Sequence, residues 1–402
     1  MKILIVTTQL PYPLIDGSKK GIYYPIKYLA ERGNEIHLAC LSERNDEEAI
    51  NEMKKYCTLD IVTHSKKPTF KNALASLFDT TPYYLSRYHN KALLDSIIAR
   101  LGKTSFDVIE VEGIHSAFYG LSIKKVKNIP VVMRLHNVES VNLERFMSEQ
   151  KNPFLKAYIY LETKKLQRYE ARESGKFDKV LMVSRDDQDV ILSKNPAVKC
   201  VVVPAGVDTS LFSPRVVQEE ENSVLWLGAL HWLPNQDSFW WFFKNIVPVI
   251  VEKMPGVTIY VIGSNPPEDI QSAKHPNVKV LGFVEDVRQY IEKVQVCVVP
   301  LRIGSGIRLK LLEMFAMKKA VVSTTIGCEG LNVTKGDQLL IEDDAKGFAD
   351  AVVKLLSDYS LRRNLGDRAL SHVRKEFEWA HIAMQYEAAY RSAISSCNSK
   401  EK

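Results

Sequence analysis

Short, nearly continuous apolar runs rich in β-branched residues alternate with longer amphipathic stretches from one end of the chain to the other. A strand buried on both faces needs such a run, and a parallel neighbour needs the intervening helix, so the pattern is that of βαβ units. It predicts strands at residues 2–8, 35–41, 59–63, 108–112, 131–135, 179–184 and 199–203 in the first half. The second half restarts at 223–227 and continues at 257–263, 278–282, 296–300, 320–323 and 339–341. The longest helical pattern, 139–174, is almost free of glycine and should break near Lys151-Asn152-Pro153. Between the halves, 207–222 holds Asp208, Ser213, Pro214 and the acids Glu219, Glu220 and Glu221 without periodicity, as an interdomain linker does. A last helix over 378–395 places Trp379, Ile382, Ala383, Tyr386, Ala389 and Tyr390 on one apolar stripe.

Composition narrows this picture only a little. A chain of 402 residues is long for one core and suits two domains, and 46% hydrophobic with 25% charged residues is ordinary for a folded globular protein. The reading is therefore α/β, with two doubly wound, Rossmann-like parallel-sheet domains over 1–210 and 211–378, and a C-terminal helix at 379–402 free to cross back to the first. The six cysteines form no C-x-x-C pair, which fits a reducing cytosol and no structural zinc. No uncharged run approaches the roughly 18 residues needed to span a bilayer. The net charge of +6 is lopsided: residues 1–215 carry 32 Lys and Arg against 25 Asp and Glu, whereas 216–402 carry 22 against 23. That excess fits a solvated surface, or attraction to anionic lipid or a phosphate-bearing acceptor. Stacking aromatics are not interleaved with it, so nucleic acid is not an expected partner.

The sharpest chemical signal lies at 299–313, where an apolar strand ends in Gly304-Ser305-Gly306 and opens into a helix carrying Arg308, Lys310 and Glu313. Amides at a helix start and glycines that admit a ligand to the backbone make a phosphate site. Cations there oppose the helix dipole, so a bound anion explains them better than helix stability does. A plain strand-to-helix turn with solvated basic residues is the alternative. His136 follows a predicted strand, at the carboxyl end where open α/β sheets place ligands, although a histidine capping the next helix fits equally. Gly17, after the first strand, either lets the loop approach a ligand or is an ordinary turn glycine. Asp187-Gln188-Asp189 and Glu342-Asp343-Asp344 read as acids at helix starts, and no metal is expected.

From Pro300 through Leu331, with Glu313, Ala316, Ala320-Val321-Val322-Ser323-Thr324, Gly327 and Glu329-Gly330-Leu331, the chain resembles the donor-binding half of the retaining group 1, or family 4, glycosyltransferases. Gly228-Ala229-Leu230 with Trp232, Pro234 and Asn235 also match, as do Gly282-Phe283-Val284-Glu285-Asp286-Val287, Pro11-Tyr12-Pro13 with Gly17, Arg134-Leu135-His136-Asn137-Val138-Glu139, and Pro204-Ala205-Gly206-Val207-Asp208. The resemblance implies the GT-B fold, its two domains facing a cleft. It implies that Glu313 binds ribose hydroxyls, that the backbone around Val284 reads the base, and that Gly304, Ser305, Gly306, Arg308 and Lys310 hold a diphosphate. Glu329 falls in the same donor region, and His136 and Gly17 would meet the sugar or acceptor. The family's E-x7-E motif is broken, because Ser305 stands eight residues before Glu313. The implied reaction moves a sugar, with retention, from a nucleotide diphosphate sugar to a glycan or lipid-linked acceptor in polysaccharide or glycolipid biosynthesis. The donor is a substrate, no cofactor is implied, and the expected place is the cytoplasm or the inner face of its membrane. A nucleotide-sugar epimerase and a catalytically silent GT-B module remain open, whereas an NAD dehydrogenase is disfavoured because no G-x-G-x-x-G follows the first strand.

Overall fold

The structure, a computed structural model, describes residues 1–64, 81–148, 150 and 152–399. The chain divides into two compact units, Met1–Pro204 with Ala380–Lys402 and Ala205–Trp379.

The first unit is built on seven parallel strands: β1 (Lys2–Thr7), β2 (Glu35–Ser42), β3 (Thr58–Thr63), β4 (Val108–Glu112), β5 (Val131–Leu135), β6 (Lys179–Met182) and β7 (Cys200–Val202). Their order is β3-β2-β1-β4-β5-β6-β7, so the winding reverses between β1 and β4. Side chains alternate across the sheet. Leu4, Val6, Ile109, Val111 and Met133 join one core with Ile97, Ile123 and Ile191 from the covering helices. The intervening residues face the other side, where helices Gly17–Glu31 and Trp379–Asn398 lie. Trp379, Ile382, Ala383, Tyr386, Ala389 and Tyr390 are all buried, which is the use of the apolar stripe.

The second unit has six parallel strands: β8 (Ser223–Leu227), β9 (Thr258–Ile262), β10 (Val278–Gly282), β11 (Val296–Val299), β12 (Ala320–Ser323) and β13 (Leu340–Ile341). The order β10-β9-β8-β11-β12-β13 puts the reversal between β8 and β11. Val224, Trp226, Ile259, Val261, Val296 and Val298 form a core with Phe239, Phe242, Phe348 and Val352. Helix Leu309–Ala316 buries Leu311, Leu312 and Phe315, each side chain contributing about 1.5–3 kcal/mol.

Expected strand boundaries hold to within a residue or two, and departures have local causes. Strand β6 stops at Met182 because Ser184 turns out to cap helix Arg185–Lys194, accepting from the Asp187 amide at 3.1 Å. The long helical pattern separates into Glu139–Ser148 and Pro153–Ser174, the second capped by Asn152. The first domain, expected to run to 210, ends at Pro204 instead. The reason is that Val207 bridges to Glu378, with the Val207 amide donating to the Phe377 carbonyl at 2.8 Å. The expected linker is likewise fastened to the second unit: Glu219 pairs with Lys319 at 2.7 Å and Glu220 accepts from the Tyr260 hydroxyl at 2.8 Å.

Candidate functional site

In an open α/β sheet, a crevice forms at the carboxyl ends of the strands where the winding reverses. In the second unit that place lies between β8 and β11, and the segment leaving β11 is Pro300 to Arg308. Gly304 and Gly306 sit at φ 122° and 77°, conformations that other residues seldom adopt, and a Cβ on Gly304 would come within 2.9 Å of the Arg308 guanidinium. Arg308 is buried and folds back on this turn, its Nη1 donating to the Ser305 carbonyl and, at 2.8 Å, to the Gly306 carbonyl. A trans peptide points its C=O and N–H in opposite directions, so an arginine that gathers these carbonyls turns the Gly306 and Ile307 amides the other way. Successive backbone amides turned to one side are an arrangement that receives anions.

Arg308 occupies the N-cap of helix Leu309–Ala316, so it precedes the first turn rather than lying within it, and Lys310 is in the first turn. The Lys310 ammonium reaches across the reversal, donating to the Leu227 carbonyl at 2.6 Å and the Asn235 side-chain oxygen at 3.3 Å. Burial, and then the nearby Arg308 charge, push its pKa down to about 7. Glu313 is buried one turn into the helix, Ser305 is buried in the turn, and Glu329 follows the 3-10 turn Ile326–Cys328 beyond β12. Val284 is half-buried just past β10. Gly304, Ser305, Gly306, Arg308, Lys310 and Glu313 all fall in the turn after β11 and the helix that follows it, at a single reversal.

The first unit carries different chemistry. Register pairs Glu112 of β4 with Arg134 of β5, so Glu110, Glu112, Arg134 and then His136 emerge on one face. His136 Nε2 lies 2.7 Å from Glu112 Oε2. Burial and the neighbouring Arg134 charge lower the imidazole pKa to about 3, and burial raises the Glu112 carboxyl to about 7. Both causes favour the neutral imidazole. Nearby, Glu170 accepts from the Ser140 amide at 3.3 Å at the start of helix Glu139–Ser148, and burial raises its pKa to about 7.

Gly17 is exposed at the first position of helix Gly17–Glu31, after the N-cap Asp16. The glycine at the histidine is Gly21, one turn on, where a Cβ would stand 3.1 Å from His136 Nδ1. Its signal was the G-x-x-x-G spacing. Glu110, Glu112 and Arg134 were equally visible as charges inside strands that should be apolar throughout. The two acidic runs are helix starts: Asp187 lies in the first turn after Ser184, and Asp344 caps helix Ala345–Ser357 through the Gly347 amide at 2.8 Å. Among the described residues no three His, Cys, Asp or Glu side chains are grouped to hold a metal ion.

Two doubly wound parallel sheets, the second with a glycine turn at its reversal, are the architecture of a GT-B protein. Residues 15–211 match the model of Glycosyltransferase Family 4, and 221–358 match that of Glycosyl transferases group 1; the chain belongs to this glycosyltransferase family. It is 20% identical over 388 residues to a 44.6 kDa protein in the cps region of Klebsiella pneumoniae, covering 94% of this chain and 96% of that one. Among solved structures it is similar to sucrose-phosphate synthase from Thermosynechococcus elongatus, with TM-score 0.71 and 16% identity over 98% of this chain and all (100%) of that one. HepE of Anabaena in complex with UDP-glucose gives TM-score 0.67 and 15% identity, again over 98% and 100%.

Proposed function

We propose that this glycosyltransferase takes its sugar from a nucleoside diphosphate sugar, with a uridine nucleotide first among the candidates. The sugar passes, with retention of anomeric configuration, to an acceptor hydroxyl in the building of a polysaccharide or glycolipid. The observation that carries this is the turn between β11 and helix Leu309–Ala316, where Arg308 orders the backbone and Lys310 adds a cation at the end of β8. As the bond to the donor phosphate breaks, negative charge grows on the diphosphate. Preorganised donors at that point stabilise it by about 3 kcal/mol or more apiece. Glu313 takes the ribose hydroxyls, and the backbone after β10 at Val284 takes the base. With these cations in place the leaving group needs no divalent ion. The acceptor belongs to the carboxyl edge of the first sheet, near His136.

The uridine preference draws on the UDP-glucose bound to HepE, and the polysaccharide role on the cps-region relative. No helix among the described residues is long and apolar enough to cross a membrane. Peripheral contact at the inner face of a membrane is supported by the basic first half and by helix Pro153–Ser174, where Phe154 and Leu155 are exposed beside Lys156. The test is a melting-temperature panel of UDP, GDP, ADP and their sugars, since a ligand of the folded state raises the transition. UDP should raise it in the wild type and fail to in Glu313→Ala. Product analysis with an acceptor alcohol then separates transfer from epimerisation and reads the anomeric outcome. Absence of any shift across the panel sinks the donor assignment.

A further inference from the structure

In helix Pro153–Ser174 the packing of the first unit separates charge by sign. Its three acids, Glu162, Glu170 and Glu173, are buried, whereas every exposed charged residue on it is basic: Lys156, Lys164, Arg168 and Arg172. The acids are turned inward by definite partners. Glu162 accepts from the Tyr83 amide at 3.1 Å, Glu170 from the Ser140 amide at 3.3 Å, and Glu173 pairs with Lys176 at 2.8 Å. Outward, the first half of the helix is apolar: Phe154 is 87% exposed, Leu161 52% and Tyr160 47%. At about 100° per residue, Phe154, Leu161, Lys164 and Arg168 share one arc of roughly 80°.

Two hydrogen bonds fix the direction of this face. Ser140 meets Glu170 and, a turn further on, Glu144 accepts from Gln167 at 3.3 Å, so helix Glu139–Ser148 runs antiparallel beside the later part of Pro153–Ser174. Ser140 lies just beyond β5, at the carboxyl edge of the first sheet, and the chain leaves Ser174 for the amino end of β6. Phe154 precedes Glu170 by more than four turns, about 24 Å along the axis. The apolar end therefore stands past the carboxyl edge, on the side to which β5 delivers His136.

An apolar end followed by outward charges of one sign matches one kind of surface. A bilayer with anionic headgroups takes the rings and the leucine below its headgroups and the cations among them. A second copy of the chain fits less well, because a two-fold contact through this face sets like charges against each other.

We propose that helix Pro153–Ser174 is the membrane-docking element: Phe154, Tyr160 and Leu161 enter an anionic bilayer, Lys164 and Arg168 hold its headgroups, and the carboxyl edge of the first sheet is turned towards the membrane. This rests on the peripheral contact proposed above and adds the element, the lipid charge and the edge presented.

Co-sedimentation with vesicles of phosphatidylcholine plus phosphatidylglycerol, and of phosphatidylcholine alone, tests it. The wild type should bind the anionic vesicles at least about 10-fold more tightly. Phe154→Ser with Leu161→Ser should weaken that binding about 100-fold or more, as should Lys164→Glu with Arg168→Glu. Each pair should keep the melting temperature of the wild type and its response to UDP. Lys125→Glu with Lys127→Glu makes the same change of charge at exposed positions before β5, at the amino edge of the sheet. It should cost less than about 3-fold, because the potential of the lipid surface decays within a Debye length. Equal losses in the two charge variants, undiminished binding by the serine variant, or equal binding of the wild type to both vesicles overturns the docking helix. A wild type that binds neither vesicle defeats the peripheral contact itself.

Discussion

At its reversal the second sheet ends in a glycine turn with two cations, whereas beside its reversal the first ends in two carboxyls, a guanidinium and a neutral imidazole. The topology is shared, so the difference is chemical. At the turn proposed for the diphosphate, the chain places two glycines, with the Arg308 guanidinium on the Gly306 carbonyl and the Lys310 ammonium on the Leu227 carbonyl at the strand ends. At the edge proposed for the acceptor, it buries charge almost to neutrality and exposes little of it. The side chain of His136 is 21% exposed, and that of Glu112 only 1%. On the proposed function, the first of these edges stabilises a charge that grows during the reaction, and the second holds a group still.

The comparison breaks most visibly at Arg308. Truncation to alanine removes the group that gathers the Ser305 and Gly306 carbonyls, so the amides lose their common direction as well as a charge. UDP affinity should fall about 100-fold or more, near 3 kcal/mol. Calorimetric titration checks it. Retained affinity would show that the turn orders itself without the arginine.

Lys310 sharpens the same point, because its effects on stability and binding have opposite signs. Its native pKa of about 7 lies below the roughly 10.4 of an unfolded lysine. Between those values the unfolded chain binds more protons, so this residue makes stability rise with pH, and below pH 7 the cost of the buried ammonium is present in full. Lys310→Met should therefore raise the melting temperature of the ligand-free protein by a few degrees at pH 6, a gain that shrinks towards pH 10. UDP affinity should meanwhile drop by about 10-fold or more at pH 7. In the wild type, diphosphate binding draws a proton onto Lys310, so affinity should decline between pH 6.5 and 8.5, and the variant should lose that decline. A variant less stable than the wild type at pH 6 contradicts this account of the ammonium.

Much of the second site was legible because its signals are local. A glycine turn, a helix start and two cations within a few residues state their chemistry in order along the chain, and β8 and β10 have the bounds that periodicity gives them. What could not be read was direction. No spacing says that Arg308 folds back on its own turn while Lys310 reaches the Leu227 carbonyl across the sheet. In the first unit the reading caught His136 and missed the buried polar groups around it, since Glu112 stands 24 positions earlier and Tyr390 comes from the other end of the chain. Only the strand register brings Glu112 opposite Arg134, and register is a property of the folded sheet. The domain boundary was misplaced for a similar reason, because the bridge from Val207 to Glu378 joins distant segments.

The smallest expected effect separates two glycines one helical turn apart. Gly17, the one suggested by sequence, is exposed at the first helical position, and alanine there should leave turnover unchanged and stability equal or slightly improved. Gly21 is buried against the imidazole, and an added Cβ at 3.1 Å from Nδ1 is closer than such contacts normally come. The sheet fixes the backbone on one side and Glu112 the far edge of the ring, so the imidazole must shift by a few tenths of an ångström rather than rotate away. Gly21→Ala should then slow turnover a few-fold while UDP affinity at the second sheet stays constant, a loss in kcat alone. If instead both variants behave alike, the ring is free to move, and the contrast between a held group and a received charge no longer describes the first unit.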